Sequence, residues 1–138
     1  MNIAVIIPVL NEQKALAELL LELLSSFGFE ELIIVDGGSW DHTTDVARTI
    51  CQSAPDVHTQ IINGPRGRAS QMNAGAALAI SDILVFLHAD TQLPHNVRQV
   101  VEPAMDDQGC VGGRFDVRFP RDTGYAWMVS RLMNLRSR

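Results

Sequence analysis

The sequence predicts an α/β protein with a doubly wound, mostly parallel sheet and helices on both faces. Two observations support this fold class. Short, unbroken aliphatic runs recur along the chain, as expected of strands that are buried on both faces. Segments with apolar residues at helical spacing lie between these runs, and such alternation is typical of a parallel sheet with helical crossovers.

The first strand and helix follow from the amino-terminal residues. Residues 3–7 form an aliphatic run that ends at Pro8. Leucines at helical spacing then predict a helix over residues 16–24, with Asn11 placed to cap its start and Gly28 placed to end it.

Two further strands flank a second predicted helix. Residues 32–35 form the second aliphatic run, and residues 57–62 form the third predicted strand. The helix between them is predicted to begin near Asp41 or Thr43 and to end before Pro55.

The second half of the chain continues the alternation. A helix of small residues is predicted over residues 69–79, a strand over residues 83–87, and a helix over residues 94–104 that ends near Pro103. Apolar and charged residues alternate over residues 115–119, which predicts a strand with one solvated face.

The last predicted element is an amphipathic helix over residues 125–135. Its apolar side chains include Trp127, Met128 and Leu132, and we expect homo-oligomers to form through this surface. The chain ends at Arg138 without a capping or turn residue, so residues 1–138 are predicted to be a single domain that is incomplete at its carboxyl end.

Composition and charge exclude several classes of protein. The 138 residues are 46% hydrophobic and 20% charged, as in ordinary soluble globular domains. The net charge of -5 argues against nucleic-acid binding. Two cysteines without a C-x-x-C pair, no signal-peptide pattern and no run near the ~18 apolar residues of a membrane span predict a cytoplasmic protein without a transmembrane segment.

Polar side chains follow each predicted strand. In an open parallel sheet, ligands bind beyond the carboxyl ends of the strands, near helix N-termini. This rule selects residues 8–12, 36–43, 64–71 and 88–91. We therefore expect these four segments to form one ligand site.

Asp36 is the main candidate in the second segment. It ends an aliphatic run and precedes two glycines, which allow the backbone to turn sharply and approach a ligand closely. Its carboxylate is predicted to accept hydrogen bonds from a base or a ribose. The alternative is that Asp36 and Ser39 only form the turn, while Asp41 caps the next helix.

The third and fourth segments carry groups suited to phosphate and metal ions. Arg66 and Arg68 precede a helix, where guanidiniums bind phosphate or form a solvated basic turn. His88 and Asp90 are two residues apart in an extended stretch and would face one site. A carboxylate suits Mg²⁺ or Mn²⁺, and the imidazole favours Mn²⁺; the alternative is a turn-forming Asp90.

Four segments resemble the motifs of family 2 glycosyltransferases, in the family's order. They are residues 6–12 (IIPVLNE), 34–41 (IVDGGSWD), 67–75 (GRASQMNAG) and 86–91 (FLHADT). The last resembles the metal-binding D-x-D region, in an L-H-A-D-T form that is associated with a bacterial subgroup.

The resemblance implies a GT-A fold with a Rossmann-like nucleotide-binding half. It implies metal-dependent, inverting transfer of a sugar from a nucleotide-diphosphate donor to an acceptor that is a saccharide, a lipid or a small molecule. Asp36 would contact the base or ribose, Arg68 a phosphate, and Asp90 the Mn²⁺ or Mg²⁺ on the diphosphate. The implied substrate-binding residues are Pro8, Asn11, Glu12, Asp36, Gly38, Arg68, Asn73 and Asp90.

Two departures from the family pattern limit the assignment. His88 stands at the first acidic position of D-x-D, which makes it a second candidate metal ligand beside Asp90. The family's catalytic base lies further along the chain, and neither Asp116 nor Asp122 lies in a recognisable base motif. We therefore assign no base and expect this chain to bind the donor without efficient turnover.

Two other functions stay open. Nucleotidyltransferases also combine a doubly wound sheet with acidic metal ligands, but a glycine-rich basic loop usually follows their first strand, and residues 9–12 lack it. A non-catalytic nucleotide-sugar-binding fragment is the second alternative. Mn²⁺-dependent binding of UDP or GDP without turnover would identify it.

Overall fold

A computed structural model describes residues 1–26, 28–107 and 109–116, apart from the side chain of residue 26. Strands and helices alternate throughout this part. In chain order the elements are β1 (Ile3–Val9), α1 (Gln13–Ser26), β2 (Glu31–Asp36), α2 (Thr43–Cys51), β3 (His58–Asn63), α3 (Arg68–Ala76), β4 (Ile83–Phe86) and α4 (Val97–Met105).

The strands form one parallel sheet in the order β3-β2-β1-β4. Val9, Asp36 and Asn63 lie side by side at the ends of three strands, and Phe86 at the end of β4 lies beside Ile6. The carboxyl ends of all four strands therefore lie at the same edge. The predicted doubly wound α/β fold is confirmed.

Helices cover both faces of the sheet. The larger core joins alternate residues of β1, such as Val5 and Ile7, to Leu20 of α1, Ala47 of α2 and Val97 of α4. The smaller core lies under α3, where the buried side chains are Ile6, Ile33 and Val35.

Helix α3 lies unusually close to the sheet because it carries Gly75. A Cβ atom at Gly75 would lie 2.6 Å from Cγ2 of Ile6 and 3.2 Å from Cγ2 of Val35. The glycine is thus required for helix–sheet packing.

Pro8 determines where β1 stops pairing with β4. The amide of Leu87 donates to the carbonyl of Ile6 at 3.0 Å, so the even-numbered residues of β1 point their backbone groups toward β4. Pro8 has no N–H to donate on that side. The pairing therefore ends at Phe86, although β1 itself continues to Val9 beside β2.

Other boundaries differ from the predicted ones by a few residues. Helix α3 ends at Ala76, and α4 runs from Val97 through Pro103 to Met105. Residues 115 and 116 form no strand, while residues 117–119 of that predicted strand lie outside the described residues. The predicted helix over residues 125–135, with the proposed oligomer surface, also lies outside them.

The contacts divide the chain into two compact units, Met1–Asp106 and Asp107–Arg138. All the helices and strands named above lie in the first unit. None of these helices combines the length and the hydropathy that a bilayer crossing requires.

The amino-terminal edge of the sheet is held by two carboxylates. Glu31 is 1% exposed and accepts hydrogen bonds from the amides of Ile80 and Ser81 and from the Ser81 hydroxyl. Glu30 accepts from the amide of Ile3 at 2.9 Å and pairs with Arg98 of α4 at 2.8 Å. These contacts fix the loops opposite the predicted site.

Acid is expected to weaken the fold partly through Glu30. Burial raises the pKa of this carboxyl, but hydrogen bonds from Ile3 and Arg98 outweigh burial and leave the pKa below its usual value. A depressed pKa contributes stability above the unfolded value of 4.5, and this contribution is lost as the pH falls through the folded value. Urea unfolding at pH 7 and pH 3 should therefore show a smaller acid-induced loss in Glu30→Gln than in the wild type. The matched variant Glu18→Gln should behave like the wild type, and equal losses in all three proteins would contradict the assignment.

Candidate functional site

Four loops leave the carboxyl edge of the sheet together. Backbone hydrogen bonds hold the first residues of three of them: Gly37 donates to the carbonyl of Val9 at 2.9 Å, Gly64 to the carbonyl of Asp36 at 2.8 Å, and Leu87 to the carbonyl of Ile6 at 3.0 Å. The structure therefore brings the four segments that the sequence selected to one edge.

Asp36 forms the turn that follows β2. Its carboxylate is buried and accepts hydrogen bonds from the amides of Gly38 and Ser39 and from the Ser39 hydroxyl at 2.5 Å. Gly38 has a φ of +98°, a conformation that favours glycine. The predicted turn role is thus observed, and since a carboxylate offers about four acceptor positions, Asp36 can also accept from a ligand.

The loop after β1 is tied to the loop after β2. The backbone N–H of Asn11 donates to Oγ of Ser39 at 2.8 Å, and the side-chain Oδ1 of Asn11 accepts from the backbone N–H of Trp40 at 2.9 Å. The Glu12 amide donates to Oγ1 of Thr43 at 3.0 Å. Residues 11–12 and 39–43 therefore form a single structural unit, which we call the paired loops.

The predicted capping role of Asn11 is wrong. Helix α1 begins at Gln13, and it is the carbonyl of Glu12 that accepts the first helical bond, from Leu16 at 2.9 Å. Oδ1 of Asn11 accepts instead from the backbone N–H of Trp40. The backbone of Asn11 has a φ of +53°, which asparagine tolerates better than most residues. Asn11 therefore joins the loop after β1 to the loop after β2.

The predicted cap of α2, Asp41, lies one residue before the N-cap His42, whose side chain makes no capping bond, and it bonds to the first residue of the helix. Its Oδ1 accepts from the Thr43 hydroxyl and, at 2.9 Å, from the Thr43 amide. The hydrogen bond from the Thr43 hydroxyl, together with those from the amides of Thr43 and Gln13, holds the pKa of Asp41 below its usual value.

Gln71 is a buried polar residue of the site that sequence reasoning missed. It is 3% exposed, and its Nε2 donates to the carbonyls of Val9 at 2.9 Å and Val35 at 2.7 Å. Its amide thus joins the ends of β1 and β2. Its place inside the third motif was the only signal in the sequence.

The basic residues lie on the loop after β3. Gly67, with a φ of +124°, precedes Arg68, the first residue of α3. Arg66 and Arg68 are exposed, and no ion pair or hydrogen bond of their side chains occurs in the part of the chain that the structure describes. Asn73 is exposed on α3.

His88 and Asp90 follow β4 at the same edge. Asp90 is exposed and its Oδ1 accepts from the Thr91 hydroxyl at 3.4 Å. The carbonyl of half-buried His88 accepts from the Thr91 amide, so residues 88–91 form a turn: the predicted extended stretch is wrong, and the alternative turn role of Asp90 is observed. Within residues 1–26, 28–107 and 109–116, no three His, Cys, Asp or Glu side chains converge as a metal site. The single exposed carboxylate of Asp90 fits an ion that takes its other ligands from substrate phosphates and water.

Comparison with known proteins identifies the family. The model of Glycosyl transferase family 2 matches residues 4–137. The undecaprenyl-phosphate 4-deoxy-4-formamido-L-arabinose transferase of Sodalis glossinidius is 32% identical over 141 residues, which cover 96% of this chain and 42% of that protein. The chain thus spans less than half the length of this relative.

Solved structures share the fold. TarS 1-349 of S. aureus in complex with UDP has a TM-score of 0.66 at 19% identity, covering 79% of this chain and 33% of TarS. The mannosyltransferase PcManGT of Pyrobaculum calidifontis, in complex with GDP-Man and Mn²⁺, has a TM-score of 0.63 at 23% identity, covering 75% of this chain and 33% of that protein. These likenesses confirm the GT-A fold. The match over residues 4–137 and the relative from Sodalis glossinidius show that this chain belongs to glycosyl transferase family 2.

Proposed function

We propose that the protein transfers a sugar from a nucleotide-diphosphate donor to an acceptor, in a metal-dependent reaction that inverts the anomeric carbon. The observation that carries the proposal is the placement of Asp36, Arg68 and Asp90 at one edge of the sheet: Asp36 ends β2, Arg68 begins α3 after β3, and Asp90 follows β4. In chain order, we assign these residues to the nucleoside, the diphosphate and the metal ion. The complexes of TarS with UDP and of PcManGT with GDP-Man and Mn²⁺ support this use of the fold.

The nucleoside is proposed to lie against the ends of β1 and β2. Asp36 would accept a hydrogen bond from the base or the ribose, and Gly38 would let the backbone approach it closely. Pro8 is buried in β1, while Asn11 and Glu12 are held in place by the paired loops. These three residues would set the shape of the pocket.

The diphosphate is proposed to lie near the start of α3. Arg68 would pair with a phosphate oxygen, the amides of the first helical turn would add partial positive charge, and Asn73 lies one turn further along. With a net charge of -5, the whole chain provides no long-range attraction for a diphosphate. Local groups must therefore supply the binding.

Asp90 is the proposed ligand for Mn²⁺ or Mg²⁺, with His88 as a second ligand. When bound, the ion neutralises charge on the diphosphate leaving group. His88 would favour Mn²⁺ over Mg²⁺, because imidazole suits transition metals better.

The acceptor is proposed to be a saccharide, a lipid or a small molecule. The relative from Sodalis glossinidius is named for undecaprenyl phosphate, which makes a polyprenyl phosphate the first acceptor to test. The reaction is proposed to take place in the cytoplasm.

Asp90→Asn is expected to weaken Mn²⁺-dependent binding of a nucleoside diphosphate by at least tenfold, or about 1.4 kcal/mol. The substitution keeps the size of the side chain and removes the anionic oxygen that a hard cation prefers. Calorimetric titration with UDP and GDP, with Mn²⁺ or with EDTA, measures the effect.

The matched control is Asp56→Asn, which changes an exposed carboxylate in the turn before β3. It should leave the affinity unchanged. If a folded Asp90→Asn protein bound nucleotide as the wild type does, the metal assignment would be wrong.

A further inference from the structure

The orientation of the Gln71 side chain is fixed by its two acceptors. The carbonyls of Val9 and Val35 lie 2.9 and 2.7 Å from Nε2, and a carbonyl accepts only from the nitrogen end of an amide. Oε1 must therefore point away from the ends of these two strands.

In the part of the chain that the structure describes, Oε1 of Gln71 has no hydrogen-bond partner. Both bonds of the side chain use Nε2, and a further hydrogen bond of this residue runs from its backbone N–H to the carbonyl of Gly67. Among the described residues, every fully buried side-chain nitrogen or oxygen has a partner. Oε1 is therefore not fully enclosed, and it belongs to the 3% of Gln71 that is exposed.

The unpartnered oxygen lies at the carboxyl edge of the sheet. A Cβ atom at Gly37 would lie 3.1 Å from each of Cδ, Nε2 and Oε1 of Gln71, and one at Gly64 would lie 3.9 Å from Cγ of Gln71. Gly37 follows Asp36 directly, so Oε1 lies beside the turn that the Asp36 carboxylate forms. The absence of a side chain at Gly37 lets the Gln71 amide lie against this turn.

We propose that Oε1 of Gln71 accepts a hydrogen bond from an N–H or O–H group of the donor's nucleoside, which makes Gln71 a specificity-determining residue. This inference rests on the nucleotide site proposed above. An acceptor that is almost buried favours a ligand that places a donor group on it, and disfavours one that leaves it unpaired. A base N–H and a ribose hydroxyl both supply that group.

A thermodynamic cycle between protein and ligand tests the proposal. Calorimetry first selects UDP or GDP as the parent nucleotide, and Gln71→Met then removes the acceptor at similar length. Each analogue removes one kind of ligand donor: the 2′-deoxy nucleotide, the 3′-deoxy nucleotide, the nucleotide methylated on its ring N–H and, where GDP is the parent, the inosine nucleotide that lacks the exocyclic amino group.

One analogue should bind the wild type about tenfold more weakly than the parent does. In Gln71→Met the parent itself should bind about tenfold more weakly, and that analogue should lose nothing further. The analogue that behaves this way shows whether the base or the ribose supplies the donor. Equal penalties in wild type and variant for every analogue would overturn the proposal.

Gln71→Met also loses two hydrogen bonds to strand carbonyls, which can lower its melting temperature. The control is Gln52→Met, at an exposed glutamine, which should keep both the melting temperature and the nucleotide affinity of the wild type. If Gln71→Met does not fold, the ¹³Cδ resonance of Gln71 in the wild type replaces it. The resonance should move when the parent nucleotide is added, and a fixed resonance would overturn the inference. A wild type that binds neither UDP nor GDP would overturn the proposed function as well, whereas binding with equal penalties removes only the role of Gln71.

Discussion

Asp36→Ala is expected to lose both stability and nucleotide affinity. The free energy of unfolding should fall by about 1–3 kcal/mol, because the amides of Gly38 and Ser39 lose their buried acceptor. Binding of UDP or GDP should weaken at least tenfold, about 1.4 kcal/mol, if the same carboxylate also contacts the nucleoside. Urea unfolding and calorimetric titration on the same preparation measure the two effects.

Ser39→Ala separates the two roles of Asp36. It removes one hydroxyl from the turn, together with the bond from that hydroxyl to Asp36 and the bond from the Asn11 amide, but it leaves the carboxylate in place. We expect a smaller loss of stability and a smaller loss of affinity than Asp36→Ala causes. If Ser39→Ala lost as much affinity as Asp36→Ala, the turn rather than the carboxylate would determine binding.

Gly75→Ala is expected to destabilise the protein by about 1–3 kcal/mol, the usual cost of overpacking. In an exposed helix, alanine would instead be more stable than glycine by about 0.8–1 kcal/mol, so the sign of the effect is diagnostic. The cause would be the 2.6 Å contact of the new Cβ with Cγ2 of Ile6. Chemical denaturation measures the change.

The contact itself is tested in a second background. Ile6→Ala removes Cγ2, so adding Gly75→Ala to it should cost less than adding it to the wild type, although Val35 remains 3.2 Å away. Ser70→Ala, at an exposed position of α3, controls for changes in helix propensity. A Gly75→Ala protein more stable than the wild type would contradict the close packing of α3.

The order of the elements could be predicted because aliphatic runs mark the strands and helical spacing of apolar residues marks the helices between them. Residues 3–7 and 32–35 are aliphatic throughout, and the structure buries every residue of β1 and β2. Strand boundaries were less accurate where a residue affects hydrogen bonding on one side of the strand only. Pro8 does not end β1, since its missing N–H affects only the side that faces β4.

The edge of the sheet at which the candidate site lies could be predicted, but the hydrogen bonds within the site could not. Asp36 and Asp41 make local contacts, which a sequence pattern reveals. Asn11 bonds to a residue 29 positions away, and Gln71 to carbonyls 62 and 36 positions away. Such partners are backbone groups, which have no signature in the sequence.

The paired loops have a consequence for how a ligand would bind. Their bonds join protein groups to one another: Asn11 with Ser39 and Trp40, and Glu12 with Thr43. Paired loops that are preorganised in this way lose little conformational entropy when a ligand binds, so more of the contact energy remains available as affinity. Trp40 is 85% exposed on the backbone of the paired loops, so the fluorescence of its indole can report ligand binding at these loops. A change in its emission would report contact with a ligand rather than movement of the loop that carries it.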